Sequence, residues 1–253
     1  MPLTPMGKGS TYQSVPVNIG GRAMFITFRP DAEEAKKFLP PPLVLRDSVG
    51  ICKFYELVRS PSVEEDLTAT NPERTQYSEG IVALATTFHG EPGQYNVVNW
   101  VTQEEALIRG REVYGMPKKL AKVTMSRFLP GQQVGQGTVI KSIVERHSCN
   151  VITASLKLER KIDPRELPSF GVFYLLRVIP SPDPSVPDIK QLLKLAVNSV
   201  QISDVWQGQA SLEFHDSQNE EIEAVKPLEV TSGYYFSIRW ILPTIAKIIQ
   251  LYD

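Results

Sequence analysis

Length, composition and charge describe an ordinary folded protein. The chain has 253 residues and a mass of 28.3 kDa, with 42% hydrophobic and 22% charged residues, so it is neither disordered nor fibrous and is within reach of one barrel-like domain. Its 27 basic and 28 acidic residues leave a net charge of -1. No basic excess is present to bind phosphates, and we therefore expect no nucleic-acid partner.

The chain also shows no sign of a disulfide framework or a membrane segment. Cys52 and Cys149 are its two cysteines and form no CxxC pair, so we expect both to be buried small hydrophobic residues. Polar residues interrupt every apolar run before the roughly 18 to 20 residues that span a bilayer. The first fourteen residues, MPLTPMGKGSTYQS, lack the apolar centre of a secretory signal. We expect a cytoplasmic location and no membrane partner.

Short strands dominate the predicted elements. The 20 prolines separate apolar runs, which favours many short strands over long helices. In residues 150–158, for example, Ile152, Ala154, Leu156 and Leu158 share one face, as in a half-buried strand. In chain order, the strands are predicted at residues 23–28, 49–57, 81–88, 95–101, 134–144, 150–158, 173–179, 200–205 and 210–214.

Few helices are predicted between these strands. Asp31 with Glu34 and Thr102 with Glu105 each match a capping box, so a short helix should begin at each. The second should end at Gly110, because glycine suits the left-handed conformation that ends helices. Further helices are predicted at residues 188–196 and 243–252, and a loop at 181–187. The sequence thus predicts one α+β domain over residues 1–253, mainly β.

Several common kinds of functional site are excluded by missing motifs. His89, His147 and His215 are far apart in the sequence, and no HExxH or CxxC motif occurs, so no metal site is predicted. The chain also has no GxSxG, GxGxxG or GxxxxGK[ST] motif. Serine hydrolase and nucleotide-binding functions are therefore disfavoured.

One segment does carry chemistry: residues 110–121, GREVYGMPKKLA, in which Lys118 and Lys119 follow a proline in apolar surroundings. A lysine is rarely buried unless it is paired or has lost its proton. A neutral lysine is a nucleophile that forms imines with ketones and aldehydes. The alternative from periodicity alone is a solvated lysine pair at the start of a strand.

This segment resembles the active-site signature of the acetoacetate decarboxylase family, which has the form G-R-E…P-K-K-L. Other segments are similar to family segments in the same order, from about residue 18 to the C-terminus. They are Gly21-Arg22, Tyr77-Ser-Glu-Gly80, residues 173–180 (FYLLRVIP), residues 204–208 (DVWQG) and residues 241–243 (ILP).

The resemblance implies roles for four residues. Lys118 resembles the lysine that forms the imine, and Lys119 the neighbour that lowers its pKa. Glu79 resembles a glutamate that positions the substrate or relays protons, and Arg22 an arginine that orients this network or the substrate carboxylate. Consecutive side chains diverge in a strand or a helix. We therefore expect desolvation to act most on Lys118, and Lys119 to be tied to a carboxylate outside the pocket.

One position departs from the family pattern. The family has an acidic residue after an R-F pair in the strand before the Y-T-E segment, whereas here Lys53-Phe54 precedes Tyr55, with Glu56 one place later. A one-residue shift reverses the face of a strand, so Glu56 can substitute only through a bulge. If Tyr55 faces the pocket instead, it offers a phenol. We expect Tyr55, Tyr114, Met116 and Trp100 to contact the substrate, and Tyr234-Tyr235 either to add pocket lining or to pack elsewhere.

The resemblance implies a lyase acting on a small β-keto acid by decarboxylation through an imine on Lys118, with no cofactor. Two alternatives remain. The same lysine could join a pyruvate-like keto acid to an aldehyde and eliminate water, or the protein could bind a carbonyl ligand without turnover. The expected partners are a small keto acid or aldehyde and further copies of the chain. The implied fold is an antiparallel β cone or barrel with a few flanking helices, assembling into homo-oligomers.

Overall fold

A computed structural model describes residues 16–61, 67–169, 171–242 and 245–252. In these ranges, thirteen strands form one sheet. The strands are β1 Val17–Arg29, β2 Val44–Pro61, β3 Gln76–Phe88, β4 Glu91–Val101, β5 Lys118–Leu120, β6 Lys122–Met125, β7 Val139–Arg146, β8 Cys149–Lys161, β9 Val172–Ile179, β10 Ile189–Leu195, β11 Asn198–Phe214, β12 Glu229–Leu242 and β13 Lys247–Leu251.

The sheet is mostly antiparallel. Its hydrogen-bonded order is β13-β10-β9-β4-β3-β2-β1-β12-β11-β8-β7-β6, with β5 also paired to β4. Strand β4 runs parallel to both β5 and β9. The expectation of a mainly β fold with few helices is confirmed, and these two parallel pairings make the sheet mixed.

The short helices are α1 Ala32–Lys36, α2 Leu67–Thr70 and α3 Glu104–Arg109. Asp31 caps α1 by accepting from two backbone N–H groups, as predicted. The cap of α3 is Gln103 rather than Thr102, because the Gln103 side chain accepts from the Ala106 N–H. The helix also does not end at Gly110, where its end was predicted. It continues as one π-helical turn over Gly110–Tyr114 and ends at Gly115, whose φ is +71°.

Two predicted helices are wrong. Residues 189–195 form β10, between β9 and β13, and residues 247–251 form β13. Short apolar runs such as Leu192-Leu193 fit both a helix and a strand, and pairing with neighbouring strands decides between them. Residues 243–244, where the second of these helices was to begin, lie outside the described residues. The sequence also missed β5, β6, β12 and β13, and it divided β11 in two.

Two hydrophobic cores lie on opposite faces of β1. Ile19, Ala23 and Phe25 belong to the core that surrounds the cavity described below, which we call the site core. Met24 and Ile26 belong to the other, which we call the far core. The strand alternation decides which side chains can reach the cavity.

Two smaller findings concern the cysteines and the helices. Cys52 is buried as expected, but Cys149 is exposed, because it stands at the first position of β8, beside the turn that follows β7. Among the described residues, every helix is too short or too polar to cross a lipid bilayer.

Candidate active site

Lys118 lines a cavity of about 120 Å³ in the site core. Strands β2, β3, β4 and β12, the turn after α3 and the first residue of β5 all contribute to its lining, and most lining side chains are apolar or aromatic. Lys118 is 6% exposed. The expected buried lysine is therefore at the wall of a mainly apolar cavity.

Glu79 contacts the Lys118 amine, and Asn99 in turn contacts Glu79. The Lys118 Nζ lies 3.1 Å from Glu79 Oε1 and 3.3 Å from Oε2, and Glu79 is itself buried. Asn99 donates from Nδ2 to Glu79 Oε1 at 2.9 Å. Lys118 and Asn99 are aligned on the parallel strands β5 and β4, and Glu79 comes from β3 on the other side of β4. Three strands thus bring one amine, one carboxylate and one amide together.

Burial lowers the pKa of Lys118 from its ordinary value, because the charged form loses its hydration. The Glu79 carboxylate acts in the opposite direction and raises this pKa, while the nearby Arg109 and Arg59 lower it. The balance is a lowered pKa, which increases the fraction of nucleophilic free amine near neutral pH.

The turn after α3 aims Lys118 at the cavity. A side chain at Gly110 would lie 2.5 Å from Lys118 Cδ, so the absence of a Cβ there leaves room for the lysine stem. A side chain at Gly115 would meet the Arg177 backbone at 2.5 Å, and Gly115 has positive φ. Arg111 Nη1 donates to the Lys118 carbonyl at 3.1 Å. Two glycines and one arginine therefore fix the start of β5.

Lys119 points away from the cavity, as expected for consecutive strand residues. Its Nζ lies 2.8 Å from Glu220 Oε2, and Arg146 Nη1 lies 3.0 Å from Glu220 Oε1. Glu220 is almost fully buried. The pair attaches β5 to the segment before β12, so this geometry gives Lys119 an anchoring part rather than direct contact with the cavity.

Tyr55, not Glu56, faces the cavity. Strand β2 pairs with β3 without a shift at this point and sets Tyr55 opposite Glu79. Glu56 lies on the other face, where it pairs with Arg127 at 2.6 Å. Burial raises the pKa of the Tyr55 phenol well above its ordinary value, so the group stays a neutral hydrogen-bond donor. Tyr114 and Met116 also line the cavity, and their contact with a substrate stays a prediction.

The structure does not bring Arg22 and Trp100 to Lys118. Arg22 is exposed on the far-core face of β1, where Nη1 donates to the Tyr235 hydroxyl at 3.1 Å and the side chain lines a separate cavity. Trp100 is fully buried in the far core. Both positions follow from the alternation of side chains along a strand, which turns Trp100 to the other face of β4 from its neighbour Asn99. Tyr234 packs in the site core and Tyr235 in the far core, and neither lines the cavity.

Two arginines that sequence reasoning missed line the cavity instead. Arg59 is 2% and Arg109 is 4% exposed. Arg59 is bound to the Glu105 carboxylate and the Arg74 carbonyl. The exposed fractions are unusually low for arginine, but the sequence around each resembles an ordinary strand or helix end and carries no signal of burial.

A row of buried amides on β4 was also missed. Gln94, Asn96 and Asn99 are each at most 4% exposed. The Gln94 side-chain oxygen, Oε1, accepts a hydrogen bond from Nζ of Lys53, a second buried lysine. Burial lowers the pKa of Lys53 to about 7. Lys53 stands two residues before Tyr55, so period-two spacing could have placed it on the same face.

Among the described residues, no group of three or more histidine, cysteine or acidic side chains is arranged to hold a metal ion.

Comparison with known proteins adds a family to this geometry. Residues 1–248 match the family model described as acetoacetate decarboxylase. The acetoacetate decarboxylase of Chromobacterium violaceum is 30% identical over 216 residues, covering 84% of this chain and 80% of the relative. That of Ralstonia nicotianae is 25% identical over 237 residues, covering 92% and 87%.

Solved structures of other proteins share this fold. The enduracididine biosynthesis enzyme MppR, complexed with the condensation product of pyruvate and imidazole 4-carboxaldehyde, has a TM-score of 0.90 and 26% identity, covering 100% of this chain and 96% of the other. Acetoacetate decarboxylase from Legionella pneumophila has a TM-score of 0.84 at 22% identity, covering 100% and 93%, and shows the same fold.

Proposed function

Because the chain belongs to the acetoacetate decarboxylase family, we propose that it is a carbon–carbon lyase that decarboxylates a small β-keto acid through an imine on Lys118. The observation that carries this proposal is the buried Lys118 amine, 3.1 Å from Glu79 at the wall of a mainly apolar cavity. A group with this burial and a lowered pKa can add to a ketone.

The first stage makes the imine. The neutral Lys118 Nζ attacks the keto carbon, and the resulting carbinolamine loses water to give an iminium ion. Glu79, within 3.3 Å of Nζ through both oxygens, is placed to take up the proton that the nitrogen releases and to return it to the keto oxygen, and a second proton from solvent lets that oxygen leave as water. Asn99 fixes the Glu79 carboxylate in this position by its 2.9 Å hydrogen bond.

The second stage breaks the carbon–carbon bond. The iminium nitrogen accepts the electron pair as carbon dioxide leaves, so the product is an enamine. Protonation of the enamine carbon and addition of water then release the ketone and restore Lys118. The scheme requires no cofactor, because the iminium itself is the electron acceptor. Arg109, buried at the cavity and near enough to affect the pKa of Lys118, is the residue we assign to orient the substrate carboxylate.

The proposal is tested by reductive trapping. Borohydride added with 3-oxohexanoate should attach one reduced adduct, found by peptide mass spectrometry on Lys118, and release of carbon dioxide should be measured in parallel. Lys118→Met should give neither adduct nor carbon dioxide. Lys122→Met, which removes an exposed lysine of the neighbouring strand β6, is the matched control and should trap normally. An adduct on another residue would contradict the proposal.

A second candidate is aldol condensation followed by loss of water. Two observations favour it: Tyr55 offers a phenol opposite Glu79, and the 26% identical MppR structure contains a condensation product of pyruvate and an aldehyde. A neutral phenol could protonate the new alkoxide or the leaving hydroxyl. Incubation with pyruvate and an aromatic aldehyde should then produce enone absorbance. A β-keto acid decarboxylase should instead give no enone from this pair and should release carbon dioxide from 3-oxohexanoate.

A further inference from the structure

A bulge in β4 brings an additional amide to the cavity. Val82 of β3 pairs with Val98, but the next β3 residue, Ala83, pairs with Asn96, so Val97 is one residue too many. In a regular strand, two residues that are three positions apart face opposite sides of the sheet. Because of the bulge, Asn96 and Asn99 both line the cavity, and bulges frequently re-aim side chains in this way near active sites.

Asn96 is the member of the amide row that lacks partners at both ends. It is 1% exposed, and neither its Oδ1 nor its Nδ2 has a hydrogen-bond partner among the described residues. By contrast, Gln94 accepts from Lys53, and Asn99 donates to Glu79. A buried polar group without a partner destabilises the fold. A ligand group that makes those hydrogen bonds would therefore be bound in preference to one that cannot make them.

The chemistry of Asn96 selects the kind of ligand group. An amide offers one acceptor and two donors. A hydroxyl group satisfies both kinds, because it donates to Oδ1 and accepts from Nδ2. A carboxylate satisfies the donors alone and repels Oδ1. Arg59 and Arg109 are the cations that suit a carboxylate, and both lie near enough to Lys118 to lower its pKa. Lys118 is paired with Asn99 of β4 and not with Asn96.

We propose that Asn96 binds a hydroxyl group carried by the keto acid several bonds beyond its keto carbon. This inference rests on the proposed function, since it takes the keto carbon to be joined to Lys118. Asn96 lies three residues along β4 from Asn99, about 7 to 10 Å in a strand. The hydroxyl therefore belongs to the end of the substrate away from its carboxylate.

The experiment compares four acids of equal chain length: 3-oxohexanoate, its 5-hydroxy and 6-hydroxy derivatives, and 3-oxohexanedioate. For each, kcat/KM and borohydride trapping at Lys118 are measured with the parent chain, Asn96→Leu and Asn96→Ser. The expected result is that one hydroxy acid exceeds 3-oxohexanoate by about 10- to 100-fold in the parent. In Asn96→Leu this ratio should fall to about one while 3-oxohexanoate is still trapped.

The Asn96→Ser variant keeps a smaller polar group and should retain part of the preference for the hydroxy acid. It also provides the test if the leucine variant fails to fold. Trapping of all acids without a hydroxyl preference overturns this inference alone, as does a preference that Asn96→Leu leaves unchanged. Equal losses for every acid in Asn96→Leu, or a preference for 3-oxohexanedioate, also overturn it. Absence of trapping with every acid overturns the proposed function and this inference with it.

Discussion

Lys118 is surrounded by groups that change its pKa in opposite directions. Burial is the largest influence and lowers the pKa, the Glu79 carboxylate raises it, and Arg109 and Arg59 lower it. Glu79 therefore has two effects. In the proposed mechanism it moves protons during imine formation, but it also favours the protonated lysine, which is not a nucleophile.

Replacement of Glu79 by glutamine separates these effects. In Glu79→Gln the influence that raises the pKa of Lys118 is lost while burial and both arginines remain, so the pKa should fall further. The rate of borohydride trapping with 3-oxohexanoate, measured from pH 5 to 10, rises with pH as the amine loses its proton. Its midpoint should move to lower pH in the variant.

The plateau of that profile reports the other role. If Glu79 transfers protons during imine formation, the plateau rate in Glu79→Gln should fall by about 100-fold or more. A midpoint that moves to higher pH, or does not move, would contradict the assigned balance of charges around Lys118.

At the scale of elements, the turn after α3 approaches the Lys118 side chain so closely that a residue larger than glycine at position 110 would displace it. The Cβ of an alanine at position 110 would lie 2.5 Å from Lys118 Cδ and 2.8 Å from Cε. Gly110→Ala should therefore displace the lysine side chain from Glu79 without exposing the core.

We expect Gly110→Ala to lower the trapping rate at Lys118 by about 10- to 100-fold, since an ångström of misplacement costs that much in a positioned reaction. The thermal midpoint of unfolding should change little, because the lysine stem can shift. Gly135→Ala provides the control for a glycine substitution, since Gly135 has no positive φ and the nearest neighbour of the new Cβ would be Trp206 Cη2 at 4.0 Å. Normal trapping in Gly110→Ala would contradict this account of the turn.

At the scale of the whole molecule, buried ionisable groups make stability depend on pH. The pKa of Lys53 is lowered to about 7 by burial, whereas an unfolded lysine keeps its proton up to a pH of about 10.4. Between these values the unfolded chain binds more protons than the folded chain, so stability rises with pH. The raised pKa values of Tyr55, Tyr77 and Cys52 act in the opposite direction above pH of about 9.

Lys53→Met should remove the part of this rise that comes from Lys53, while Lys118, whose pKa burial also lowers, keeps its own contribution. Urea unfolding of the parent chain should show stability increasing between pH 7 and 9, and the variant should be flatter in that window and more stable than the parent at pH 6. Lys157→Met removes an exposed lysine of β8 and should behave as the parent. A Lys53→Met chain with the parent's slope would show that Lys53 is not buried as a neutral amine. Assembly into homo-oligomers stays a prediction at this scale.

The sequence by itself determined the local features. The alternation of apolar residues predicted most strands, and the Asp31 cap predicted α1. The segment GREVYGMPKKLA identified the family, which the family match confirms, and pointed to Lys118. The positions of Lys118, Glu79, Tyr55, Tyr114 and Met116 around one cavity agree with the expected grouping. Their catalytic roles stay predictions. Each of these signals depends on residues near one another in the chain.

Only the tertiary structure decided which distant groups share the cavity. It excluded Arg22 and Trp100, brought in Arg59 and Arg109, and turned Asn96 inward through a bulge. It also turned two predicted helices into β10 and β13. The physical reason is that strand register, bulges and the face of each strand depend on pairing between remote segments, whose free energy no local pattern contains.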